Sequence, residues 1–176
     1  MALNEYHDEY SESIESDFRK LEGGLLHDKV RLLAPSEPIK LTEDATVQEA
    51  ITQMAEKRRA AVVIVDAAGR LAGIFTERDL LRRVAVPGRD PRFTRLAEVM
   101  TSKPEVLGPD DLICVAINRL HHAGFRTIPL VDEDGRPIGI MTVNDIVQWL
   151  AELFPEAIVN LPPQSGLKQP HETDAG

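Results

Sequence analysis

The sequence predicts an α/β module made of two β-α-β-β-α units packed about a pseudo-twofold axis, behind an N-terminal amphipathic helix. Three observations predict it. Shifting the chain by 66 residues aligns Pro38–Arg83 with Pro104–Trp149 without a gap, pairing Asp44 with Asp110, Ala50 with Ala116, Gly69 with Gly135, Gly73 with Gly139, Thr76 with Thr142 and Asp79 with Asp145. A repeat of this length marks one supersecondary unit used twice. Apolar periodicity changes at the same point in both copies, from helical spacing to short continuous runs. Finally, neither copy is long enough to close a core alone, so the two must bury their apolar faces on each other.

Within each copy the elements follow in order. A short extended piece comes first, around Ile39-Lys40-Leu41 and Glu105-Val106-Leu107. Val47, Ala50, Ile51 and Met54 then recur at helical spacing, as do Ile113, Ala116, Ile117 and Leu120, so each copy carries an amphipathic helix. The runs Val62–Val65 and Ile128–Val131 end in Asp66-Ala67-Ala68-Gly69-Arg70 and Asp132-Glu133-Asp134-Gly135-Arg136, which read as hairpin turns. Leu71–Phe75 and Pro137–Met141 return as second strands. Thr76 and Thr142 then stand at helix N-cap positions, before helices carrying Leu80, Leu81 and Val84 or Ile146, Val147 and Leu150. Val30–Ala34 aligns with Leu96–Met100 as a helical lead-in to each copy.

The resulting organisation is a helical extension at 1–29, a first repeat at 30–85, a linker at 86–95, a second repeat at 96–153 and a Pro-containing, partly disordered tail at 154–176. In the extension Tyr6, Tyr10, Ile14, Phe18, Leu21 and Leu25 form one apolar face, predicted to stop near Gly23-Gly24 and to cover either its own module or a second subunit.

Composition narrows the function. Hydrophobic residues at 43% and charged residues at 28% are globular values. A formal charge of -9 repels phosphate backbones and anionic lipid, which argues against nucleic-acid and membrane partners. No apolar run approaches the roughly 18 residues of a membrane span. The acidic start, MALNEYHDEYSESIESD, is unlike a targeting signal, and the single Cys114 allows no intramolecular disulfide, so the expected location is cytoplasmic. His121 and His122 point about 100° apart on a helix and lack a carboxylate at helical spacing, so no metal site is expected. Cys114 has no repeated His or Asp partner that would make it a nucleophile. No catalytic set is apparent, and the chain is not expected to be an enzyme.

The phrases V-V-I-V-D-A-A-G-R-L-A-G-I-F-T-E-R-D (Val62–Asp79) and I-P-L-V-D-E-D-G-R-P-I-G-I-M-T-V-N-D (Ile128–Asp145) resemble a tandem pair of cystathionine-β-synthase (CBS) domains, or Bateman module, over about residues 30–153. The chain is similar to stand-alone CBS-pair proteins. The resemblance implies a regulatory ligand rather than a required cofactor: an adenosine nucleotide (AMP, ADP or ATP) or S-adenosylmethionine, bound between the repeats and signalled to an unknown regulated protein in trans. It also implies a homodimer.

The candidate site lies at Gly73–Asp79 and Gly139–Asp145. A capping hydroxyl with free N–H groups favours an anion, and a carboxylate one turn on can accept from a vicinal diol. The same residues could equally be a helix cap and nothing more. By resemblance, Thr76, Arg78 and Asp79 face Arg126 and Thr127 of the other copy across a first cleft. Thr142, Asn144 and Asp145 face the poorer set of Arg59, Ala60 and Ala61 across a second. Ile39 and Val106, with neighbouring Leu41 and Leu107, are candidates for adenine contacts. Lys57-Arg58-Arg59 and Arg82-Arg83 read as solvated helix faces, and Trp149, where the first copy has Arg83, reads as a core or dimer contact. The alternative function is a dimerising protein-interaction scaffold that binds no nucleotide.

Overall fold

The computed structural model describes residues 5–153, with side chains of the first helix from Glu15 onward. Helix α1 (Glu5–His27) leads through a 3-10 turn (Val30–Leu33) into the first copy: β1 (Lys40–Thr42), α2 (Val47–Lys57), β2 (Ala61–Val65), β3 (Leu71–Thr76) and α3 (Glu77–Asp79). The short α3 continues as a π-helical segment, Leu80–Ala85. Helix α4 (Leu96–Val99) and β4 (Thr101–Ser102) lead into the second copy, which holds α5 (Ile113–Ala123), β5 (Thr127–Val131), β6 (Pro137–Thr142) and α6 (Val143–Leu153). The tail expected at 154–176 lies outside the described residues, as do the side chains of Tyr6, Tyr10 and Ile14.

In each copy the two hairpin strands pair antiparallel and the entering piece joins in parallel. In the second copy that entering piece shrinks to a single bridge, Leu107 to Leu130, because Pro104, Gly108 and Pro109 bracket it.

The lead-ins do not complete their own copies. Strand β4, upstream of the second copy, pairs with Gly73 and Ile74 of the first, while Ser36, upstream of the first copy, pairs with Ile140 of the second. Backbone bonds repeat the exchange: Val30 N–H to Asp111 O (2.8 Å) answers Leu96 N–H to Ala45 O (2.9 Å), and Ile113 N–H to Asp28 O (3.0 Å) answers Val47 N–H to Thr94 O (2.9 Å). Side chains follow the backbone. Leu96 and Val99 are buried in the first core beside Val47, Ile64 and Phe75, whereas Val30 and Leu33 are buried in the second beside Leu107, Ile113 and Met141.

The repeated motif glycines serve this exchange. A Cβ on Gly73 would lie 3.0 Å from Thr101 O and closer still to Met100 Sδ, and one on Gly139 would meet Pro35 Cβ at 3.2 Å. Each glycine leaves room for the crossing lead-in.

Helix α1 corrects the expected stop near Gly23-Gly24, since it runs on to His27 and packs on α5 and α6 of its own chain. Leu21 and Leu25 lie against the second core, and Trp149 donates its indole N–H to Asp28 Oδ2 at 3.2 Å. The physical reason is Gly24: a Cβ there would lie 2.7 Å from Trp149 Cζ2, so the missing side chain is a seat for the indole rather than a helix end. Trp149 is thus a core residue that holds α1. Lys29 donates to Asp110 at 2.8 Å, and this bond, helped by Arg31, holds the Asp110 carboxyl below the usual carboxylate range.

Two stability outcomes follow from these contacts. Gly23→Ala, with nothing within 4 Å of the new methyl, should stabilise the protein by about 0.5–1 kcal/mol in urea unfolding. Gly24→Ala should destabilise it by about 1–3 kcal/mol, because the indole must move. Trp149, the single tryptophan, reports on the second core. Leu96→Ala, a cavity in the first core, should nonetheless lower the unfolding midpoint read by Trp149 fluorescence, with a loss of about 2–5 kcal/mol. An unchanged fluorescence midpoint would show that the copies unfold separately.

Candidate functional site

The junctions after β3 and β6 are built alike by capping. Thr76 donates its N–H (3.0 Å) and its hydroxyl (2.7 Å) to Asp79 Oδ2, and the same hydroxyl accepts the Asp79 N–H at 3.3 Å. Thr142 likewise donates its N–H (2.6 Å) and hydroxyl (2.9 Å) to Asp145 Oδ2. Beyond the cap the copies diverge. Helix α6 continues regularly for 11 residues, whereas α3 gives way after 3 residues to the π segment. A π turn is wider than an α turn and shifts where the following side chains point, and such turns gather at functional sites.

A cavity of about 340 Å³ opens between the copies at the first junction, a size typical of small-molecule sites. Thr76, Arg78 and Asp79 reach its wall from the first copy, and Arg126 and Thr127 reach it from the second. Arg78 crosses the mouth, donating to Gly124 O at 3.3 Å.

The remaining sequence candidates fall elsewhere. Thr142, Asn144, Asp145 and Arg59 are not on this wall, and Asn144 and Arg59 are exposed. Ile39, just ahead of β1, is buried in the first core with Val62 and Ile64 and is not on this wall. Val106 stands off the wall, which takes Pro104 and Glu105 instead. Ala60, assigned to the second cleft, lines the first cavity, tied to its own junction by Glu77 N–H to Ala60 O at 3.1 Å.

Arg82 and Arg83, read from sequence as solvated, both line the cavity. Both stay exposed, as expected, while bordering the cavity; they lie in the π segment and align with Gln148 and the buried Trp149 of the second copy. Phe125 also contributes to the wall. Arg83 Nε lies 3.4 Å from Asp79 Oδ1, and its Nη1 donates to Val99 O at 2.9 Å and to Met100 O. Asp79 is only 9% exposed. Among the described residues Arg78, Arg82 and Arg126 have no carboxylate within 4 Å, so the wall offers uncompensated guanidinium groups beside Glu77 and Glu105. Among the described residues no cluster of His, Cys, Asp or Glu could hold a metal ion, and no helix is long and apolar enough to cross a membrane.

Two reciprocally closed repeats with an inter-repeat cavity at a strand-to-helix cap define a tandem ligand-cleft module. The chain belongs to the CBS-domain family, whose model matches residues 32–86 and 96–152. It is 32% identical over 124 residues to the Arabidopsis thaliana CBS domain-containing protein CBSX3, mitochondrial, covering 68% of this chain and 60% of that one. It is also 32% identical over 114 residues to CBSCBSPB2 of the same plant, covering 65% of this chain but only 21% of the relative. The matched region is thus a part of these longer proteins. Among solved structures, a CBS domain protein from Pyrobaculum aerophilum complexed with AMP superposes with a TM-score of 0.62 at 25% identity, covering 70% of this chain and 98% of that one.

Without ligand, Asp79→Ala should cost about 2 kcal/mol, since it removes the cap and leaves Arg83 without its carboxylate. Asp145→Ala should cost less, because among the described residues Asp145 bonds only Thr142. Denaturant unfolding of the two variants side by side checks the order, and equal losses would mean that the Arg83 contact contributes nothing.

Proposed function

We propose that the chain is a regulatory module that binds an adenosine nucleotide (AMP, ADP or ATP) or S-adenosylmethionine in the first cleft and signals its occupancy to a partner protein. The observation that carries this is the cavity on which Thr76, Arg78 and Asp79 of one copy meet Arg126 and Thr127 of the other. Guanidinium groups suit a phosphate, and the Asp79 carboxylate suits a ribose diol. The AMP complex of the similar P. aerophilum protein supports the ligand class. Because the wall is made by both copies, a ligand with different affinity for two arrangements of the copies shifts their populations, which a partner can read. Leu81 and Val147, related by the repeat and exposed at 62% and 57%, offer matching apolar surface for a second copy of the chain in a homodimer.

A scaffold reading is favoured by one specific feature: both Asp79 oxygens are already engaged, by Thr76 and by Arg83. Calorimetric titration and thermal unfolding against AMP, ADP, ATP and S-adenosylmethionine separate the two. A true ligand at 100 times its Kd should stabilise the protein by about 2.7 kcal/mol. Asp79→Asn, which keeps a capping oxygen, should abolish the response while Asp145→Asn keeps it. If no compound in the panel shifts the midpoint, the scaffold reading stands instead.

A further inference from the structure

Asp79 and Asp145 occupy equivalent positions, yet only Asp79 is held by a cation among the described residues. The cause is one substitution between the copies, Arg83 where the other has Trp149. Arg83 is shared between the Asp79 carboxylate and the Val99 and Met100 carbonyls, and it stands on the cavity wall beside Arg82, which has no carboxylate within 4 Å among the described residues.

From this arrangement we propose that Arg83 is an exchangeable counter-ion that makes the cleft selective for ligands carrying both a vicinal diol and a phosphate. The proposal rests on the reading of the cleft given above. A diol that donates to Asp79 Oδ1 competes there with Arg83, whose Nε lies 3.4 Å away, and weakens that ion pair. A nucleotide replaces both halves of the weakened pair: its diol donates to Asp79, and its phosphates accept from Arg83 and Arg82. Adenosine brings the diol alone and strands the guanidinium. S-adenosylmethionine brings the diol with one carboxylate for the guanidinium groups but two cations, a sulfonium and an ammonium, and so adds net positive charge to a wall that already has an excess of it. Phosphate-bearing adenosine nucleotides are therefore the ligands the wall fits, and Arg83 is the residue that discriminates.

The test is calorimetric titration of the full chain with ADP, adenosine and S-adenosylmethionine, for the wild type, Arg83→Gln and Arg83→Lys, with thermal unfolding to establish that each variant is folded. The wild type should bind ADP well above the other two. Arg83→Gln should weaken ADP about tenfold, through loss of charge-assisted bonds. The same change should tighten adenosine by up to about fivefold, because no ion pair has to be weakened. Arg83→Lys should retain part of the preference for ADP. A structural role for Arg83 would move both ligands in one direction, so opposite signs are the diagnostic result. Changes of the same sign, or none, in a protein that still binds ADP would overturn the counter-ion role and leave the cleft reading intact. Should Arg83→Gln fail to fold, the wild type and Arg83→Lys decide, and S-adenosylmethionine binding as tightly as ADP overturns the proposal. A wild type that binds no compound at all overturns both readings.

Discussion

Each copy of the repeat keeps part of its core outside itself. Leu96 and Val99 precede the second copy in sequence but fill the first core, and Val30 and Leu33 precede the first copy but fill the second. The hairpin sheets are extended the same way, by β4 on β3 and by Ser36 on Ile140. Everything else follows from that reciprocity. It holds the strand-to-helix junction after β3 against the entry strand of the opposite copy, and so it fixes the distance across which Thr76 and Asp79 face Arg126 and Thr127. It also gives Gly73 and Gly139 a reason in packing that precedes any ligand, because a side chain at Gly73 would crowd Met100 and Thr101 of the crossing lead-in and one at Gly139 would crowd Pro35.

Much of this was legible in the sequence, and what was not has a definite cause. Periodicity and turn chemistry are local, so the hairpins at Asp66–Arg70 and Asp132–Arg136 and the amphipathic faces of α2 and α5 could be read directly. The lead-ins could be recognised as a repeated pair, but which core they enter is a matter of topology, and a repeat at an offset of 66 residues is the same for an exchanged and an unexchanged arrangement. Helix α1 misled because Gly23-Gly24 has the composition of a stop, while the decisive partner, Trp149, lies far along the chain. In the site, the capping pairs were visible as motifs. The place of Arg82 and Arg83 beside the cavity was not, since exposed arginines have the same sequence signature on a plain surface as at the edge of a cleft. Ile39 looked like a pocket residue for a similar reason, as apolar residues beside a site and in a core have the same sequence signature.

The two copies share a hairpin, a preceding helix and a capped junction, and differ in the chemistry beyond it. At one junction the helix is short, widened and basic; at the other it is regular and apolar, and its Trp149 anchors α1. Duplication therefore supplies a symmetric frame, and substitutions at a few equivalent positions assign one face to a charged cleft and the other to holding an extra helix. The cleft is an electropositive spot in a chain of net charge -9, which lets it attract small anions while the remaining surface repels large ones.

The exchanged lead-ins also set an order of events during synthesis. The first copy has all of its own hairpin once Thr76 is made, but the backbone that pairs with β3 and the side chains that close its core arrive only with Leu96–Ser102. Until then a nascent chain exposes the apolar ground on which Leu96 and Val99 will sit, together with a free strand edge at Gly73 and Ile74. Such edges invite pairing with other chains. The second copy has no equivalent waiting period for its lead-in, because Val30, Leu33 and Ser36 are already present when its strands emerge. A ribosome therefore delivers one half that must wait and one half that closes as it appears, so the interval between Thr76 and Ser102 is when this protein is most exposed to misassembly.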